Sequence, residues 1–113
     1  MDPKIKAIIS FVIPSILFIC ISWPLIKNKI PPNCAYGFRL RKTLSNKEIW
    51  YKANKFGGQC VLTAGIITLI SCCWLWMHKE GLSLATINEA GIKLFILPLT
   101  GAIVLSLTYI KKL

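Results

Sequence analysis

The sequence predicts an all-α integral membrane protein, with three transmembrane helices and a long basic loop that contains a short amphipathic helix. Three observations predict this. Three apolar runs without a charged residue lie at 7–26, 56–77 and 94–110, the first two long enough to span about 30 Å of hydrocarbon as helix. Only 16% of the 113 residues are charged and 55% are hydrophobic, against about 25% charged in a typical water-soluble domain. The charges are also segregated: six Lys or Arg residues fall in the polar stretch Ile30 to Gly58. The whole chain, 1–113, reads as one membrane domain, with the loop at 27–55.

The first run follows Lys4 and Lys6 and is longer than the apolar region of a signal peptide. Ser22-Trp23-Pro24 is not a small-x-small cleavage site, so the segment is expected to be retained. Pro14 removes one helical hydrogen bond and frees the Ser10 carbonyl, which predicts a kink. Pro24 and the pair Pro31-Pro32 are expected to stop the helix and force an extended exit.

In the loop, Ser45-x-x-Glu48 has the form of a capping box. Ile49, Ala53 and Phe56 follow at helical spacing, with Lys47, Lys52 and Lys55 on the polar side. The amphipathic helix is therefore expected from about Asn46, and Gly57-Gly58 either break it or let it run into the second span. In that span Gly58, Gly65 and Cys72 recur every seven residues, a small-residue stripe suited to close helix packing in lipid. Trp74, Trp76 and His78 mark an interfacial end. A turn is expected over Lys79 to Gly91. The third run contains Pro98 and is anchored by Lys93, Tyr109, Lys111 and Lys112.

Net charge is +10. In a soluble protein this would suggest nucleic acid; here the charge flanks apolar spans, so topology and anionic headgroups account for it, and no direct nucleic-acid partner is expected. Ten Lys or Arg residues lie on the side of the long loop and C-terminus and four on the side of the N-terminus and the short turn. The positive-inside rule then predicts a multi-pass protein with a cytoplasmic loop, N-terminus out and C-terminus in. Five cysteines without C-x-x-C or Cys/His ligand spacing give no disulfide framework and no metal site.

The four carboxylates are Asp2, Glu48, Glu80 and Glu89, and His78 is the only histidine. No two carboxylates cluster on the loop side, and no phosphate-binding, nucleophile-elbow or zinc-protease motif occurs. Neither catalysis nor a cofactor is expected. No Asp, Glu, Lys or Arg lies inside a span, which argues against ion-coupled transport. The loop itself has two readings. Arg39, Arg41 and Lys42 could serve only topology and lipid headgroups. Alternatively Tyr36-Gly37-Phe38-Arg39 is a shaped turn in which Gly37 supplies an unusual backbone geometry and Arg39 a fork of donors for a phosphate or carboxylate.

The order Pro32-Asn33, Tyr36-Gly37-Phe38-Arg39, Thr43-Leu44-Ser45, Trp50, Asn54, Gly58 and Gly65 resembles the signature of the SdpI/YfhL family, bacterial integral membrane proteins named for immunity to a sporulation-delaying toxin. The likeness covers about a third of the chain. It implies a bacterial cell membrane, three helices, protection against a secreted membrane-active toxin, and a receptor role that holds a transcriptional repressor at the membrane. It places the partner- or anion-binding motif at Asn33, Tyr36, Gly37, Phe38, Arg39, Thr43, Trp50, Asn54 and Gly58. Leu40 stands where the family often has a small polar residue, and longer members carry an additional N-terminal membrane portion not found in these residues. Expected partners are membrane lipids with anionic headgroups, a toxin peptide, a repressor, and a second copy of the chain. The competing classes are a small structural subunit of a membrane complex, and a transporter or enzyme acting on lipid or peptide.

Overall fold

Asp2 starts the first helix: its carboxylate accepts the Lys4 amide at 2.9 Å, and Pro3 takes the first helical position, where no amide donor is needed. In the computed structural model, which describes residues 1–113, helix α1 spans Pro3–Ile26. It passes through Pro14 and also through Pro24, which was expected to stop it. Pro24 lies one turn from the end and removes a single bond. What ends the helix is Asn28, in the left-handed region at φ 57°. The Asn28 amide donates to the Leu25 carbonyl and the Lys29 amide to the Pro24 carbonyl at 3.0 Å, the paired bonds of a Schellman stop with Asn in the usual glycine position.

A single helical turn, α2 (Arg41–Leu44), interrupts the loop and was not expected. Helix α3 spans Lys47–His78 without a break at Gly57-Gly58. The predicted amphipathic loop helix is therefore the first part of α3, and the loop proper ends at Asn46 rather than at residue 55. The predicted capping box is also corrected. Asn46 is the N-cap, its side-chain oxygen accepting the Glu48 amide at 2.8 Å and the Ile49 amide at 3.3 Å. Ser45 still has helical backbone angles and closes α2, donating its hydroxyl to the Lys42 carbonyl at 2.8 Å. Glu48 pairs instead with Lys52 at 3.0 Å.

The turn expected over Lys79 to Gly91 is much shorter. A 3-10 turn, Lys79–Gly81, leads to Ser83, whose hydroxyl accepts the Thr86 amide at 3.1 Å and starts α4 (Leu84–Lys112). Helices α1, α3 and α4 are each long and apolar enough to cross a membrane. The body is 51 Å long, more than the roughly 40–45 Å of a bilayer with its headgroups. The charge-free part of α3 begins only at Phe56, so the first turns of α3 stand beyond the hydrocarbon.

The small-residue stripe on α3 meets a matching stripe on α1 in antiparallel register. A side chain at Gly58 would meet the Ser22 carbonyl at 3.1 Å, and one at Gly65 the Ser15 carbonyl at 3.1 Å. Cys72 packs with Ile8, Leu75 and Ile87 in the core at the short-turn end. Ser15 and Ser22 are fully buried, and each satisfies its hydroxyl on its own helix, with Phe11 and Ile19 carbonyls. They act as small residues that bring no unpaired polar group into lipid. Beside the stripe on α3, Thr68 reaches the Leu94 carbonyl of α4 at 3.1 Å. Phe56 stacks on Tyr109 at 4.3 Å nearer the loop end.

Candidate functional site

The loop from Ile30 to Asn46 folds back onto the exposed end of α3; Asn33 and Thr43 fix its shape from within, and Trp50 with Asn54 fastens it to α3. Asn33 comes first in the chain. Its oxygen accepts the amides of Ala35 (2.8 Å) and Tyr36 (2.7 Å), while its amide nitrogen donates to the carbonyls of Pro31 (2.8 Å) and Tyr36 (3.1 Å). One side chain thus uses its full donor and acceptor capacity to close a turn. Pro31 and Pro32 carry no amide hydrogens and stiffen the entry to it.

Trp50 fastens the loop to α3. Its indole nitrogen donates to the Ile30 carbonyl at 2.8 Å and the ring is wholly buried. One α3 turn later, the Asn54 side chain accepts the Phe38 amide at 2.6 Å and donates to the Trp50 carbonyl at 2.9 Å. Gly37 lies over this pair at φ 109°, where a side chain would meet Asn54 Oδ1 at 2.6 Å. Both its backbone angle and its surroundings therefore require glycine. The Phe38 ring covers Gly57, where any side chain would collide with it.

Thr43 fixes the loop from within, and it is fully buried. Its hydroxyl oxygen accepts the Leu40 amide at 2.8 Å and faces the carbonyls of Phe38 (2.8 Å) and Leu40 (2.9 Å). The Tyr36 hydroxyl donates to the Ile21 carbonyl and ties the turn to α1. Partial burial raises this phenol above its ordinary value of 10.0.

Arg39 points outward from this scaffold. One guanidinium nitrogen donates to the Cys34 carbonyl, the side chain is exposed, and no carboxylate pairs with it. Most of its five donors remain available to an anion. Arg41 beside it is exposed too, and Lys42 reaches the Lys111 carbonyl at 3.2 Å, joining α2 to the end of α4. Between the turn and α1 lies an apolar cavity of about 260 Å³, lined by Phe18, Ile21, Leu25, Tyr36, Phe38 and Val61 among others.

Of the residues singled out from sequence, Asn33, Tyr36, Gly37, Phe38, Thr43, Trp50 and Asn54 come together in one cluster, and Arg39 projects from it. Gly58 belongs elsewhere: it packs against Ser22, Leu25 and Ile26 of α1. Ile30 and Gly57 were missed. Ile30 contributes only a carbonyl, which no sequence pattern reveals. Gly57 was visible as half of a glycine pair, but the pair reads as a helix breaker until the Phe38 ring is seen above it. No group of three or more His, Cys, Asp or Glu side chains comes close enough to hold a metal ion.

A family model described as the SdpI/YfhL protein family matches residues 29–110, from the entry of the folded loop almost to the end of α4. No curated protein and no solved structure matches the chain.

Proposed function

This chain belongs to the SdpI/YfhL family, and from that membership we propose that it is an immunity-like protein of a bacterial cell membrane that protects against a secreted membrane-active toxin. The observation that carries the reading is the Arg39 guanidinium, exposed and unpaired with any carboxylate at the tip of a turn fixed by Asn33, Asn54 and Thr43. A side chain needed only for charge does not require such a mount. The fork of donors suits a carboxylate or phosphate, and the apolar cavity behind the turn suits the apolar part of a peptide.

The loop faces the cytoplasm in this reading, with the N-terminus outside, an orientation supported by the ten-to-four distribution of Lys and Arg. A variant with Cys34 as its only cysteine tests this: a membrane-impermeant thiol reagent should label it only after permeabilisation. Efficient labelling of intact cells reverses the orientation.

The experiment for function is survival of toxin-sensitive cells, with membrane levels matched by immunoblot. Arg39→Lys keeps the charge but loses the fork and should lose protection. Lys52→Ala removes a charge from an exposed pair with Glu48 and should protect as the parent does. The opposite result makes the loop a general electrostatic anchor. No protection by the parent leaves a structural subunit of a membrane complex as the better assignment.

A second reading, docking of a transcriptional repressor, is favoured by α2, where Leu40 and Leu44 are 40% and 48% exposed beside Arg41 and Lys42. Apolar side chains rimmed by cations suit an acidic protein surface. Leu44→Asp should then release a repressor encoded beside this chain from membrane fractions while leaving toxin protection intact.

A further inference from the structure

Helices α3 and α4 run antiparallel and part below the stacked rings of Phe56 and Tyr109. The gap is an apolar groove of about 320 Å³, with Ala64, Ala102, Cys60, Ile67, Pro98 and Leu105 in its walls, within the size range of small-ligand sites, about 300–1,000 Å³. Gly101 keeps it open: a side chain there would meet nothing within 4 Å. Along α3 the groove runs from Gln59 to Ile67, roughly 12 Å at 1.5 Å per residue, the length of an upper acyl-chain segment.

Its mouth is polar and cationic. Gln59 lines it, and Lys55 lies one helical turn further out on the same face of α3. On α4, Lys112 lies two turns beyond Leu105, again on the groove face, with the Tyr109 ring between them. Lys55 and Lys112 are exposed and neither forms an ion pair, whereas Lys52 is engaged by Glu48 at 3.0 Å. The charge-free run of α3 begins at Phe56, so both ammonium groups stand at the hydrocarbon boundary, the level of lipid phosphates. The contrast lies at the other end of the molecule. A groove of about 290 Å³ between Ile8, Val12, Leu69 and Trp76 is lined wholly by apolar residues, and the nearby Lys79 is occupied by Glu80 and by the Trp76 ring.

We propose that the α3–α4 groove binds one anionic phospholipid, its acyl chain lying over Gly101 and its phosphate held by Lys55 and Lys112 with the Tyr109 hydroxyl. The site needs only that the chain spans a bilayer; it does not depend on toxin immunity or repressor docking. It also lies on the opposite face of α3 from the packing with α1, so filling it leaves the α1–α3 stripe in place.

The test is native mass spectrometry of the full chain ejected from nanodiscs of phosphatidylglycerol mixed with phosphatidylcholine. The parent should retain one phosphatidylglycerol in preference to phosphatidylcholine. Gly101→Leu, which fills the groove from its open side, should reduce that adduct about tenfold, as should Lys55→Gln combined with Lys112→Gln. Lys4→Gln with Lys6→Gln removes the same charge from the far end and should leave the adduct unchanged. Equal loss in this control, no preference for phosphatidylglycerol in the parent, or an undiminished adduct in Gly101→Leu overturns the site. A dimer that Gly101→Leu dissociates, with no lipid retained by the parent, also overturns it and assigns the groove to a second copy of the chain.

Discussion

The Asn54 side chain accepts the backbone amide of Phe38 at 2.6 Å across sixteen positions of sequence, and this bond joins the loop to the first turns of α3. Asn54 is 1% exposed, so without it the Phe38 amide has no ready partner and water has little access. Asn54→Ala should cost about 1–3 kcal/mol locally, which at 1.4 kcal/mol per factor of ten speeds hydrogen exchange at the Phe38 amide by about fivefold to a hundredfold. Asn33→Ala should instead release the Ala35 and Tyr36 amides, which Asn33 holds. Unchanged exchange at Phe38 in Asn54→Ala would show that the loop is not held through this residue.

Gly37 tests the same junction from the loop side. At φ 109° a side chain is strained, and its Cβ would also crowd Asn54 Oδ1 at 2.6 Å. Gly37→Ala should destabilise the turn by about 1–3 kcal/mol from backbone strain alone, more with the collision. Gly81→Ala is the comparison, since a side chain there meets nothing within 4 Å. Exchange protection of Ala35, Tyr36 and Phe38 reads the difference, and equal behaviour of the two variants would remove the special role of Gly37.

The start of α3 gives a prediction in which adjacent residues differ. Asn46→Ala removes the cap that holds the Glu48 and Ile49 amides and should cost about 1 kcal/mol. Ser45→Ala loses only a hydroxyl bonded to the Lys42 carbonyl at an exposed site and should be close to neutral for α3. Thr43→Ala should free the Leu40 amide and loosen α2 while sparing the Glu48 and Ile49 amides. Amide exchange at residues 40, 48 and 49 separates the three, and loss at Glu48 and Ile49 in Ser45→Ala but not in Asn46→Ala would reverse the cap assignment.

These cases also mark how far the sequence could be read. The three spans were legible because the length of an uncharged run is a local property that lipid imposes directly. So was the stripe of Gly58, Gly65 and Cys72. Its counterpart, Ile8, Ser15 and Ser22, shares the seven-residue spacing but was hidden because serine reads as polar until its hydroxyl is seen to bond back to its own helix. The cap was misplaced by one residue because Ser45 and Asn46 are both good N-caps and Glu48 completes a box with the first. The contest was settled by α2, which needs Ser45 in helical geometry and which nothing in the local pattern announces. The candidate site was legible as a set of residues but not as an arrangement. Asn54 looks like any polar position on an amphipathic helix, and its role depends on a contact made only when the loop has returned to α3.

The bond between Thr68 and Leu94 explains how α4 tolerates Pro98, and it can be tested as a coupled pair. Pro98 has no amide hydrogen, so the Leu94 carbonyl four residues earlier loses its helical donor. In lipid that carbonyl cannot turn to water. The Thr68 hydroxyl of α3 lies 3.1 Å from it and shares its proton with the Ala64 carbonyl at 3.0 Å. Thr68→Val keeps the shape and removes the donor, and should destabilise the helix bundle by about 1 kcal/mol, within the range measured for hydrogen bonds between membrane helices. Pro98→Ala supplies the missing amide to Leu94 from within α4. In that background Thr68→Val should cost close to nothing, since the carbonyl already has its donor. Unfolding of all four proteins in mixed micelles with increasing dodecyl sulfate gives the double-mutant cycle. A cost for Thr68→Val that is the same with proline or alanine at position 98 would mean that the hydroxyl serves only packing, and that the Leu94 carbonyl is satisfied in some other way.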